Sequence, residues 1–261
     1  MTGQLLFRGM LIGLLAGLLS FAFLKLAGEP SVDSAIAYEG VVEAAKAKAK
    51  AEDAAAKGLP APVEETEPEL VSRDVQSGVG LLTAVTVYDS AFGGLFALVF
   101  ALTYRRMGDF SPRATAALLA LAGFVSVYVA PTIKYPPGPP SVGAPETIAL
   151  RTSLYFAMIL ISLASMIAAG VLRSRLEPRL SGWNSALIAA AAYVIVVAGV
   201  ALALPDVNEV PDGFPAADLW RFRLASLGGQ AIMWAAFGVL FGVAAERLLA
   251  QRETSLYPQA S

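Results

Sequence analysis

Six long apolar runs, at 5–26, 78–104, 114–133, 150–172, 186–204 and 224–249, set the strongest constraint on what this chain can become. Each is about 20 residues or more, and at about 1.5 Å per residue such a helix crosses a hydrocarbon layer of roughly 30 Å. The chain is 56% hydrophobic and only 15% charged, a balance far from that of a soluble domain of this size. The fold class read from this is all-α: a polytopic transmembrane helix bundle of about six spans, with residues 1–261 forming a single integral membrane domain. The 186–204 run is the shortest, and five spans remain if one run is re-entrant.

Charge placement orients the bundle. Arg105, Arg106 and Arg113 lie between runs two and three, Arg173, Arg175 and Arg179 between runs four and five, and Arg247 and Arg252 stand at the end of run six and just after it. The connection between runs five and six carries Asp206, Glu209, Asp212 and Asp218, with basic residues only at its end. By the positive-inside rule both termini are cytoplasmic, which needs an even number of spans. The first run is long for the apolar part of a signal peptide and no clear A-x-A site follows it, so an uncleaved span is expected.

The chain has no Cys and no His. Disulfides, thiolate or imidazole metal ligands, Ser-His and Cys-His nucleophilic pairs and HExxH zinc chemistry are all excluded. Tyr88-Asp89 resembles half of an aspartyl intramembrane protease site, but no GxGD partner exists. A non-enzyme is expected, and no GxxxxGK[ST] phosphate loop is present.

Along the chain, Gly9, Gly13 and Gly17 make a small-residue stripe suited to close helix packing, although glycine is also common in membrane helices for no such reason. Glu29, Asp33 and Glu39 then place three carboxylates just outside the membrane, where Ser31 or Asp33 could cap a short helix. Residues 41–57 read as a solvated helix and 60–68 as an extended linker, so 41–69 is a variable outer-side insert without chemistry. Arg73, Asp74 and Gln76 stand at the entrance to the second span. Asp89 lies near its middle, where a carboxylate costs about 2.5–3.5 kcal/mol by insertion scales and is a functional candidate by default. A protonated Asp bonded to a neighbouring helix is the alternative. Gly93-Gly94 permits close packing or a kink.

Between the third and fourth spans, KYPPGPPSVGAPETIALRT carries five prolines from Lys134 to Pro145. Each fixes φ and removes an N–H, so a stiff polyproline-like arch is expected, holding Lys134, Tyr135, Glu146 and Arg151 at fixed separations. A rigid cap joining two helices is the simpler reading. At the start of the sixth span, Trp220 reads as an interface anchor. Arg221 and Arg223 point different ways on a helix, so one turns inward to seek a carboxylate from another outer loop. Gln230 is a lining candidate two turns deeper.

These residues gather on one side as an outward-facing polar vestibule. Asp89, Glu29, Asp33, Glu39, Gln76 and Gln230 are the metal or permeation candidates. Arg73, Lys134, Tyr135, Arg151, Asp218, Arg221 and Arg223 are the structural and electrostatic ones, with Lys134, Arg221 and Arg223 expected to hold the outer carboxylates. Oxygen-rich ligands without sulfur or imidazole suit a hard or borderline divalent cation that keeps some of its waters.

The strings GEPSVDSAIAYE, LVSRDVQSGVGLLTA, FGGLFALVFAL, SPRATAALLALAGF, KYPPGPPSVG with ETIALRT, and GFPAADLWRFRLASLGGQ resemble, in order and spacing, the CbtA family, the predicted membrane subunit of a cobalt transporter. The resemblance covers nearly the whole chain outside 41–69. It implies cobalt as the transported ion, uptake supporting cobalamin synthesis, a bacterial inner-membrane location, about five spans, and a small single-span partner, CbtB, whose His residues supply the imidazole missing here. No tightly bound cofactor and no nucleic acid are expected; the bilayer and a homo-oligomer are compatible partners. A non-transporting scaffold that stabilises a partner is the competing reading.

Overall fold

A computed structural model describes residues 2–60 and 70–256, the last five of these by backbone alone. Every regular element among them is helical. Six helices are long and apolar enough to cross a membrane: α1 (Thr2–Ala27), α3 (Arg73–Thr103), α4 (Pro112–Lys134), α5 (Pro145–Leu176), α6 (Gly182–Ala203) and α7 (Ala216–Gln251). A seventh, α2 (Glu29–Ala56), is the polar Ala-Lys-Glu helix. Six spans thus stand in place of five. Four of the six span helices, α1, α4, α5 and α7, run past their apolar run at both ends, because helical hydrogen bonding continues into the wet interface where no lipid demands apolar side chains.

The α2 helix is longer than the sequence suggested. It starts at Glu29 with Pro30 in its first turn, and neither Ser31 nor Asp33 caps it. The Ser31 hydroxyl instead donates to the Gly28 carbonyl at 2.7 Å, a local bond that ties the α1–α2 junction. The expected linker at 60–68 lies outside the described residues except for Pro60.

The glycine stripe is where the bundle is closest. Gly9, Gly13 and Gly17 on α1 face Gly93, Asp89 with Ser90, and Thr86 on α3, a descending register that makes the two helices antiparallel. A Cβ added at Gly13 would lie 2.7 Å from the Ser90 Cα, and one at Gly17 would lie 2.6 Å from the Thr86 Cα. Such backbone approach is how helices associate in lipid, where apolar burial supplies no drive. The Ser90 hydroxyl adds a bond to the Met10 carbonyl at 3.2 Å. Gly93 serves packing rather than a kink, since the helix is regular from Leu81 to Thr103.

On its other flank α1 meets α7, where Gly228 and Gly229 sit against Phe23 and Leu24. α7 also packs on α4, placing Gly238 beside Ala120 and Gly242 beside Ala116. Leu5, Phe96, Phe100, Ala120, Met233 and Phe237 close the core between these four helices. Phe96 stacks on Phe237 at 5.3 Å and meets Phe241 edge-on, an arrangement that aromatic quadrupoles favour. The α5–α6 hairpin joins this core through α4 and is held internally by a buried Ser162–Tyr193 hydroxyl pair at 2.8 Å.

Three spans contain wider, π-helical stretches, at Gln76–Gly80, Phe124–Val129 and Phe237–Phe241. The arch is not one extended rod. Ser141 (φ 68°) and Gly143 (φ 116°) turn the chain through the left-handed region, and a short 3-10 turn at Pro145–Thr147 leads into α5.

Candidate functional site

A cavity of about 400 Å³ lies between α1, α2, α3 and α7. Its deep end is formed by Asp89 of α3 with Ser20 of α1, and Tyr88 and Gln230 flank it. Asp89 is 3% exposed, and its Oδ2 accepts a hydrogen bond from the Ser20 hydroxyl at 3.2 Å. The same hydroxyl lies 3.4 Å from the Gly229 carbonyl, so Ser20 stands where α1, α3 and α7 meet. Glu29 lines the other end. It lies nine residues beyond Ser20 along nearly continuous helix, about 13 Å at 1.5 Å per residue.

The position of Asp89 follows from the glycine stripe. Gly13 lets α3 approach so closely that the Asp89 carbonyl occupies the place of a Cβ, and one turn further along α1 the stripe continues through Ala16 and Gly17 to Ser20. All of these small residues are buried on one face of α1. Ser20 was overlooked in the sequence, although its register with Gly13 and Gly17 carried the signal.

The outer charges pair differently from expectation. Glu29 and Asp33, one turn apart on α2, are both held by Arg73, whose Nε and Nη2 reach the Asp33 Oδ1 at 3.0 and 2.9 Å while Nη2 also contacts Glu29. Of the expected holders, Lys134 and Arg221 do meet outer carboxylates, though neither takes Glu29 or Asp33. Lys134 pairs with Asp206. Arg221 is exposed and lies 3.7 Å from Asp218, three residues away on its own helix. Arg223 does turn inward, but its Nε donates to the Pro137 carbonyl at 3.3 Å rather than to a carboxylate. The arch prolines have no N–H to donate but keep carbonyls that accept, so the arch is an acceptor-rich target for a half-buried guanidinium.

The arch is fastened to the loop before α7. Glu209 accepts the Ala144 N–H at 2.7 Å and lies 3.3 Å from the Arg151 Nε. The Thr147 hydroxyl and the Ala144 N–H hold its carboxyl below the usual range. Gly143 is required here, since any side chain at its φ of 116° would be strained and would overlap the Arg151 guanidinium. Tyr135 is buried and donates to the Pro205 carbonyl at 2.9 Å. Lys134, Tyr135 and Arg151 are therefore arch fasteners. Asp206 and Glu209, their partners, were not singled out in the sequence because an acidic loop offers no way to tell anchoring acids from solvated ones.

Three metal candidates stand outside the cavity lining: Asp33, which Arg73 holds, with Gln76 and Glu39. Gln76 is exposed and donates to the Val71 carbonyl at 2.7 Å, and Glu39 lies on α2 beyond the cavity lining. Among the described residues no three carboxylates come together as a metal-holding group. Asp89, Glu29 and Gln230 are the sequence candidates that the fold brings to one cavity.

A family model described as probable cobalt transporter subunit (CbtA) matches residues 2–246. No curated protein and no solved structure matches the chain. With six spans, a buried intramembrane acid and a family model covering all but its two ends, the chain belongs to the CbtA family of probable cobalt transporter subunits.

Proposed function

We propose that this chain admits cobalt, as a hydrated divalent cation, across a bacterial inner membrane together with a small CbtB-type subunit. The observation that carries the reading is the cavity running from Glu29 to the buried Asp89. Six waters at about 30 Å³ each occupy about 180 Å³, so an octahedral aquo ion fits within about 400 Å³. The lining oxygens of Glu29, Tyr88, Ser20 and Gln230 accept hydrogen bonds from such an ion's waters, and Asp89 offers a negative charge where lipid offers none. Asp89 serves as a stepping site for the cation or as the group that couples its passage to a proton. Lacking imidazole and thiolate, the chain passes the cation without stripping its shell, and capture from dilute solution falls to the partner.

On this reading the arch face is outermost and the Arg-rich loops face the cytoplasm. An inward membrane potential then contributes about 2.3 kcal/mol per charge per 100 mV, which supports uptake of a divalent ion. The test is radiolabelled cobalt uptake in cells lacking other cobalt importers, with the chain expressed alone and with its partner. Asp89→Asn keeps the side-chain shape and the Ser20 bond, and it should lower uptake by about tenfold or more, equivalent to 1.4 kcal/mol or more. Unchanged uptake at equal protein level removes Asp89 from the path. No uptake in any combination, with the partner's abundance falling when this chain is deleted, favours the scaffold.

A further inference from the structure

α2 forms one wall of the cavity, and its attachments are unequal. Towards α7 and the arch it is fastened several times. Tyr38 packs edge-on against Phe214 at 5.1 Å and its hydroxyl donates to the Asp212 carbonyl at 3.3 Å, while the Ser141 hydroxyl donates to the Ala35 carbonyl at 3.1 Å. Towards α3, which forms the facing wall, α2 has no extensive helix packing. Among the described residues the polar link across that seam is Arg73, the first residue of α3, clasping Glu29 and Asp33. Arg73 is followed by the wide-turned Gln76–Gly80 stretch, which includes Gly78 and Gly80, so its end of α3 is built with irregular hydrogen bonding rather than as a rigid rod.

The clasp also matters electrostatically. Glu29 and Asp33 together carry two negative charges, and Arg73 neutralises one. Arg73 itself stands just beyond the cavity lining, as a cation tethered to the protein and paired with Glu29, the carboxylate that lines this end.

We propose that Arg73 is the gate of this cavity: its ion pairs with Glu29 and Asp33 latch α2 to α3, and a divalent cation enters by displacing the guanidinium and letting α2 part from α3 on a seam where, among the described residues, these ion pairs are the polar fastening. The inference rests on the reading of the cavity as the cation path, and it adds what closes that path. A monovalent cation competes poorly with a guanidinium that makes several charge-assisted bonds, whereas a divalent cation matches the two carboxylates that Arg73 leaves behind.

The test uses the absence of native cysteine. Ala225 lines the cavity and is 4% exposed, so Ala225→Cys reports access to its interior. In purified protein reconstituted in lipid, the rate of modification by a cationic and by a neutral thiol reagent of equal size is measured with and without Arg73→Gln. Both rates should rise about tenfold or more when the latch is removed, because the population of the open state rises. Asp33→Asn, which leaves Arg73 and Glu29 in place, should raise both rates less. Cobalt added to the otherwise unaltered Ala225→Cys protein should accelerate the neutral reagent, and sodium at equal ionic strength should not.

Unchanged rates overturn the gate, as does acceleration of the cationic reagent alone, which reports an altered local charge and no opening. If Arg73→Gln does not fold, Asp33→Asn and the cobalt effect decide by themselves. Labelling needs no transport, so the outcomes separate: a gate that opens without cobalt uptake refutes the transport reading, and Asp89-dependent uptake with an unresponsive cavity refutes the gate.

Discussion

At the residue scale, the position of Asp89 is determined by what has been left out of its neighbour. Gly13 has no side chain, so the α3 backbone fills that space and the carboxyl is carried to Ser20. Ser20→Ala removes the donor and should cost about 0.6–1.7 kcal/mol, read as a lower melting temperature in detergent. An unchanged melting temperature would show that the bond contributes nothing to the fold. Glu209 gives a pH dependence of definite sign. Its folded pKa lies below the ordinary value of 4.5, so its grip on the arch is present above that value and is lost as pH falls through the folded pKa. Hydrogen exchange at the Ala144 amide, corrected for its intrinsic rate, should lose protection on acidification below about pH 4.5 and at neutral pH in Glu209→Gln. Persistent protection in the variant would mean that Glu209 does not hold the arch. Asp89 was legible as a lone intramembrane acid; its partner was not, because the register of Ser20 with Gly13 and Gly17 marks a packing face without saying which helix that face meets.

At the scale of elements, the stripe on α1 could mean packing or nothing, and the facing Gly93 and Thr86 decide in favour of packing. Gly13→Leu has nowhere to put its side chain except into the α3 backbone, so the helices must separate by more than a few tenths of an ångström. Overpacking of this kind costs about 1–3 kcal/mol or more. The expected result is a sharp loss of monodisperse protein in gel filtration, whereas Gly170→Leu, on an open face of α5, should leave yield unchanged. Comparable yields from both variants would contradict the α1–α3 contact. The reach of α2 was misjudged in the sequence for a physical reason. The composition changes only at Val41, whereas Pro30 lets the helix start at Glu29: in the first turn a proline loses no hydrogen bond and its fixed φ suits the helix. The arch shows the opposite case: its prolines were read correctly as ending a helix, while the left-handed turn at Ser141 has no residue preference strong enough to announce it.

For the whole molecule, Arg8 near the start of α1 donates to the Ala244 carbonyl of α7, and Arg113 pairs with Glu246 at 2.5 Å, so the first turns of α1 and the last turns of α7 share one face. Single cysteines at Gly3 and Gly40, both in open surroundings, should therefore react from opposite sides of the membrane. With an impermeant reagent outside intact spheroplasts, Gly40→Cys should label and Gly3→Cys should not; the reverse pattern would invert the proposed orientation. By itself the sequence determined an all-α bundle of about six spans, the exclusion of sulfur and imidazole chemistry, and Asp89 as a lone acid near the middle of a span. Lipid imposes the first and last of these through length, hydropathy and the cost of charge, and the absence of Cys and His settles the second; all are properties of each segment alone. Only the tertiary structure decided which cation holds which carboxylate, and which small residues become contacts. Those depend on pairs more than forty residues apart, such as Arg73 with Glu29, whose meeting is set by the antiparallel register of α1 and α3.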